Sequence, residues 1–115
     1  MEASATAKGI RISARKVRLV VDQIRGKGVE DALTILDLSC KRFAKPLAKL
    51  VRSALANAEE KNERDRAGID VDNLVVDEIM VDQGSSMWRI RARAQGRAAW
   101  IQRRTSHVSI VLAEH

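Results

Sequence analysis

From Gln83 to Ala113 the chain carries six arginines and no acidic residue. Arg89, Arg91, Arg93, Arg97 and Arg103 fall on odd positions, while Ile90, Ala92, Ala94, Ala98 and Trp100 take even ones. A period of two belongs to extended chain, where alternate side chains share a side. The tract is therefore confined to a β-arm with one cationic side. The whole chain has 21 Lys/Arg and 15 Asp/Glu, so outside the tract the two signs balance, and the formal charge of +6 sits in the arm. Arginines this close repel one another unless anions lie among them. Each offers a rigid five-donor fork matched to phosphate.

The preceding half carries a different period. Ser13 suits an N-cap, Val17, Val20, Val21 and Ile24 follow at helical spacing, and Gly26 supplies a left-handed stop. A short second helix is predicted from Val29 to Leu36, with Glu30 and Asp31 in its first turn. A third is predicted from Lys41 to Lys61 on the stripe Phe43, Leu47, Leu50, Val51, Ala54, Leu55 and Ala58. Pro46 fits that helix only in its first turn. The charged run Glu59–Asp70, which includes Gly68, is expected as a loop. From Leu74 the period becomes two. Leu74–Asp82 is a predicted strand, Val108, Ile110 and Leu112 mark another, and Gly9–Ile12 is a candidate edge strand.

These elements predict an α+β fold: three helices packed on a small antiparallel three-stranded sheet with a long extended β-hairpin. The 115 residues form a single domain. Its body spans about 1–82 and 105–115, and the hairpin protrudes over about 83–104. Ten residues per arm would reach about 30 Å, too far to be buried against the body, so the arm needs a partner.

Composition narrows the partner. A sequence pI near 10.1 calls for an anionic one. No apolar run approaches the roughly 18 residues that span a bilayer, so no membrane is expected. The N-terminus lacks the apolar stretch of a secretory signal, and the single Cys40 rules out an internal disulfide and fits a reducing compartment. Catalysis has little to work with. Cys40 is expected as a buried small apolar residue, and His107 and His115 have no nucleophile or metal pattern beside them. No Gly-rich phosphate loop or zinc spacing is present, so neither an enzyme nor a cofactor is expected. The acids Asp70, Asp72, Asp77, Glu78 and Asp82 are expected as strand-surface charges rather than a metal cluster, some of them pairing with Arg103 or Arg104.

The candidate nucleic-acid contacts are Arg89, Arg91, Arg93, Arg97, Arg103 and Arg104 on the arm, with a second basic set of Lys8, Arg11, Arg15, Lys16 and Arg18. Trp88 and Trp100 flank the arginines and suit either stacking on unpaired bases or packing of the hairpin's even face.

Four strings, SARKVRLVVDQIRGK (13–27), SALANAE (53–59), VDQGSSMWRIRARAQGRA (81–98) and RRTSHVSIVL (103–112), resemble in order the L22 family of bacterial large-subunit ribosomal proteins. The resemblance implies a body on the outside of the large subunit and a hairpin that threads between ribosomal RNA (rRNA) domains to the nascent-peptide exit tunnel. Its tip would be Met87, Trp88, Arg89, Ile90, Arg91, Ala92 and Arg93. Gly96, Thr105, Ser106 and His107 would be RNA-facing or structural in the arm, and Arg97, Arg103 and Arg104 would be anchors. Two departures stand out: the family commonly has Pro at Ser85 and Ala92, and a cation at Trp88 and Trp100. The loop from Glu60 to Asp72 also exceeds the family's usual length.

The expected function is a non-catalytic constituent of the large ribosomal subunit that binds large-subunit rRNA, bridges its domains during assembly and lines the exit tunnel. Its partners would be that rRNA, neighbouring ribosomal proteins and the nascent polypeptide, with no homo-oligomer. The location would be a bacterial cytoplasm, with an organellar ribosome as the alternative. The rival function is an architectural DNA-binding protein with basic β-arms, which would require a dimer and an apolar wedge at the arm tip.

Overall fold

Helical spacing governs the first half of the chain and strand spacing the second. The computed structural model describes residues 2–39, 41–65, 73–92 and 94–114. Strand β1 (Glu2–Ile10) leads into helices α1 (Ala14–Ile24), α2 (Val29–Leu38) and α3 (Ala44–Asp65), followed by strands β2 (Leu74–Ala92) and β3 (Ala98–Glu114). The sheet is antiparallel with order β1-β3-β2. This is the expected α+β architecture. Cys40, Gly68, Asp70, Asp72, Arg93 and His115 lie outside the described residues.

The α1 apolar stripe, Ala14, Val17, Val20, Val21 and Ile24, is buried. Gly26 stops the helix at φ 79°, a left-handed conformation that glycine adopts without a Cβ penalty. In α3, Leu47, Ala48, Leu50, Val51, Ala54 and Ala58 turn inward, the helix lying on β1 and β3, and join one core with Val76, Ile79, Val108, Ile110 and Leu112 of the sheet. Pro46 is the third residue of α3, inside the first turn, where its missing N–H is one of the helix's free donors.

Two expectations are corrected. The charged run from Glu59 is not a loop as far as Asp65 but the last turns of α3. Glu, Lys and Arg are good helix formers, and Glu60 and Arg64 stand four apart. The edge strand is not Gly9–Ile12 but Glu2–Ile10, paired from Glu2↔Ala113 to Ile10↔Ser106. Its inward residues, Ala3, Ala5 and Ala7, are too small to give a strong apolar signal.

Strand β3 is regular, and its neighbours carry the irregularities. Each register shift adds one residue on the partner of β3: between Val76 and Glu78, between Gln83 and Ser86, and between Ala7 and Ile10. Such a bulge changes which parity faces inward. Accordingly Leu74 and Val76 are buried before the first, Ile79 and Val81 after it.

Helix side chains seal both free edges of the sheet within the body. On β2, Arg25 donates to Ile79 O at 3.0 Å and Arg18 to Val81 O at 2.8 Å. Below them Gly26 N donates to Val76 O, and Val76 N donates to Lys27 O. On β1, Asn57 donates to Ser4 O at 2.9 Å and Lys61 to Glu2 O at 3.0 Å. Sheet edges left open invite pairing with another chain.

Candidate nucleic-acid interface

Beyond the Gly84–Ser85 bulge, β2 and β3 continue alone as a hairpin paired from Ser86↔Arg104 to Ala92↔Ala98. Every described residue of β2 from Met87 to Ala92 is exposed. The molecule measures 65 Å along its longest axis against 26 and 16 Å across. A turn at Ala94–Gly96 closes the hairpin, with Gln95 at φ 63° and Gly96 at φ 72°.

That turn corrects the placement of the tip. The end of the hairpin is Ala94–Gly96 and its flanks, so Arg97 lies at the distal end rather than among the deep anchors. Met87, Trp88, Arg89, Ile90 and Arg91 stand on the paired shaft, opposite Arg103, Gln102, Ile101, Trp100 and Ala99, and Ala92 is the last paired residue before the turn. This chain has no proline in the arm, and the left-handed pair Gln95–Gly96 makes the reversal.

Directly paired residues of an antiparallel ladder share a face. One face of the shaft therefore carries Arg89, Arg91 and Arg103 with Met87, Ala99 and Ile101. The other carries Trp88, Ile90 and Trp100 with Gln102 and Arg104. Neither tryptophan is packed into the body: Trp88 is 60% exposed and Trp100 67%.

At the root of the arm lies a groove of about 850 Å³, between residues 8–12, the start of α3 and the shaft. Its cations are Lys8, Arg11, Arg42, Arg89, Arg103 and Arg104, set around Ile10, Phe43, Pro46 and Met87. A smaller groove of about 480 Å³ adjoins it and adds Lys16. No described carboxylate lines either one. The expected pairing of Arg103 or Arg104 with acids is absent among the described residues. Their neighbour is Gln102, whose Oε1 accepts from Arg104 at 3.4 Å, while Arg25–Asp22 and Arg52–Asp37 form ion pairs on the helices. Unneutralised guanidinium groups around a concave surface focus a positive field on whatever enters it.

The second basic set divides. Lys8, Arg11 and Lys16 join the shaft arginines in the grooves. Arg15 is exposed on α1 and lines neither. Arg18 is committed in part to Val81 O. Arg42 was absent from the sequence-derived set. Its signal was the local run KRFAK (41–45), which leads into the first turn of α3 and brings Arg42 and Phe43 to the groove together.

The root is built by close packing. Thr105 donates to Ser85 O at 2.6 Å, and Gly9 N donates to His107 Nδ1 at 3.0 Å. A Cβ on Gly84 would stand 2.5 Å from Thr105 Oγ1 and 3.0 Å from the His107 ring. Thr105 and His107 thus pack at the joint between body and arm, with Ser106 buried between them in sequence. No group of three or more metal-ligating side chains exists among the described residues, and no described helix is long and apolar enough to cross a membrane.

Residues 5–113 match the family model described as Ribosomal protein L22p/L17e. The chain is 55% identical to the large ribosomal subunit protein uL22 of Syntrophus aciditrophicus, over 99% of both chains. It is 51% identical to the uL22 of Desulforamulus reducens, covering 99% of this chain and 96% of that one. For the uL22 of Geobacter sulfurreducens the identity is 52%, over 99% and 98%. The family is one of structural ribosomal constituents, not of enzymes. An acid-free groove at the foot of a basic hairpin, together with a match over nearly the whole length, places this chain in the ribosomal protein L22p/L17e family.

Proposed function

We propose that the chain is a structural constituent of the large ribosomal subunit that holds large-subunit rRNA at two levels. The groove at the root, with Arg42, Arg103 and Arg104, takes the phosphates of RNA passing over the body. The shaft carries Arg89 and Arg91 outward to RNA that the body does not reach. Segments that would repel one another are drawn together during assembly by the charge set between them. The end of the hairpin, Ala94–Gly96 with Arg97, lines the nascent-peptide exit tunnel. Neighbouring ribosomal proteins are the further partners, and the location is the ribosome of a bacterial cytoplasm. The observation that carries this reading is the carboxylate-free grooves at the foot of an exposed arginine shaft.

Hydroxyl-radical protection of large-subunit rRNA by the bound chain tests it. Bridging predicts protected stretches in at least two RNA segments far apart in sequence, with R42A removing one set and R97A the other. A single continuous protected stretch would leave no bridging role. Bending of duplex DNA by a dimer of the chain would favour the architectural DNA-binding alternative.

A further inference from the structure

We infer that the face formed by Trp88, Ile90 and Trp100 is a stacking platform for unpaired nucleotides, set back to back with the arginine face of the same hairpin. The inference deepens the RNA-binding reading and rests on it. Ile90 is paired directly with Trp100, and Trp88 is two residues along the same face. The two tryptophans are thus diagonal neighbours across the ladder, about 7–8 Å apart at the backbone. All three side chains are more than half exposed, at 60%, 63% and 67%.

Water is a poor partner for this surface. Strand β3 is regular, so Trp100 has the same parity as the buried Ser106, Val108, Ile110 and Leu112. The inward side of the core therefore continues along the arm after the helices that cover it have ended, and past Ser86 and Arg104 it turns apolar again at Trp88, Ile90 and Trp100. Something else must cover it, and charge selects what. The arm carries six arginines and no acid, and Arg104 shares the face. A cationic or neutral apolar protein surface would meet this field without compensation. An unpaired nucleotide supplies both complements: a flat base for the indole and a phosphate for the guanidinium. Bases held in a duplex present only their edges and backbone, so single-stranded RNA is the ligand class. The shaft would then separate two RNA surfaces, reading bases on one side and phosphates on the other.

Both tryptophans of the chain lie on this face and there is no tyrosine, so intrinsic fluorescence of the full protein reports the platform alone. The probes are a single-stranded RNA twelve-mer without self-complementarity and a duplex of the same length. Stacking predicts quenching of tryptophan emission by the single strand well beyond that by the duplex. The double variant W88A/W100A should lose single-strand affinity by about tenfold or more, with the salt dependence of binding unchanged. W88F/W100F should retain most of it. R89A/R91A should do the opposite, lowering the salt slope while leaving the quench at saturation. Equal quenching by duplex, or unchanged single-strand affinity in W88A/W100A, would overturn the proposal. Circular dichroism controls for folding, since these side chains lie outside the core. If W88A/W100A binds normally while the chain still sediments with large subunits, the platform fails and the ribosomal reading stands.

Discussion

The backbone N–H of Gly9 donates to Nδ1 of His107 at 3.0 Å, across 98 positions of sequence. Gly9 sits in the bulge of β1 at φ 72°, and on the other side of β3 the His107 ring faces Gly84 in the bulge of β2. The imidazole therefore fills the space between two bulges, with Nδ1 as acceptor and, in the neutral ring, the proton on Nε2. Body and arm meet at this joint, and the direction of the arm depends on its packing.

Gly84→Ala should destabilise the protein by about 1–3 kcal/mol, because the added methyl would stand 2.5 Å from Thr105 Oγ1. That hydroxyl cannot simply rotate away, being held by Ser85 O at 2.6 Å. Chemical denaturation of G84A, T105A and the double variant makes the check. Removing the obstructing atom should make the double variant less destabilised than the sum of the two single ones. Strict additivity would show that the two residues do not meet.

Ser106→Ala should leave stability unchanged or raise it by up to about 1 kcal/mol. Ser106 is fully buried and its Oγ has no hydrogen-bond partner among the described residues. The substitution removes a desolvated hydroxyl while keeping the volume nearly constant. A lower melting temperature would mean that the hydroxyl has a partner.

Arg18→Ala and Arg25→Ala together should cost stability, about 0.5–1.5 kcal/mol for each hydrogen bond lost. They should also raise the tendency to aggregate, because Val81 O and Ile79 O on the edge of β2 lose their donors. The salt slope of RNA binding should barely move. Denaturation and light scattering report the first two, titration at several salt concentrations the third. A slope lowered by one phosphate or more would return Arg18 to the RNA-contacting set.

Arg42→Ala should reduce the magnitude of the log–log salt slope by about 0.7–0.9, the loss of one phosphate contact. Stability should hold, since the side chain is exposed and forms no hydrogen bond or ion pair among the described residues. The comparison with Arg15→Ala is informative, because Arg15 lies outside both grooves and should change the slope less.

Much of this architecture was legible because periods are physical. The valines of α1 and the arginines of the shaft declared helix and strand through spacing alone. Glu59–Asp65 misled because charged residues without an apolar stripe resemble loop, whereas propensity and an i,i+4 charge pair extend the helix. The alanines of β1 misled because small side chains bury little area. In the interface, the arginine shaft was visible as local sequence, but the groove was not. It forms only when residues 8–12, 42–46 and 103–105 converge, and no local pattern announces that Arg42 will face Arg103. The tip was misplaced for a related reason: the Gln95–Gly96 reversal depends on left-handed backbone, which only Gly96 signals in sequence.

Sedimentation tests the central claim most directly. The full chain, tagged and expressed in a bacterial cell, should co-sediment with large subunits in a sucrose gradient and remain with them through a moderate salt wash. The variant R42A/R103A/R104A, folded by circular dichroism, should be found largely at the top of the gradient. Wild-type chain at the top, away from the large subunit, would contradict the account.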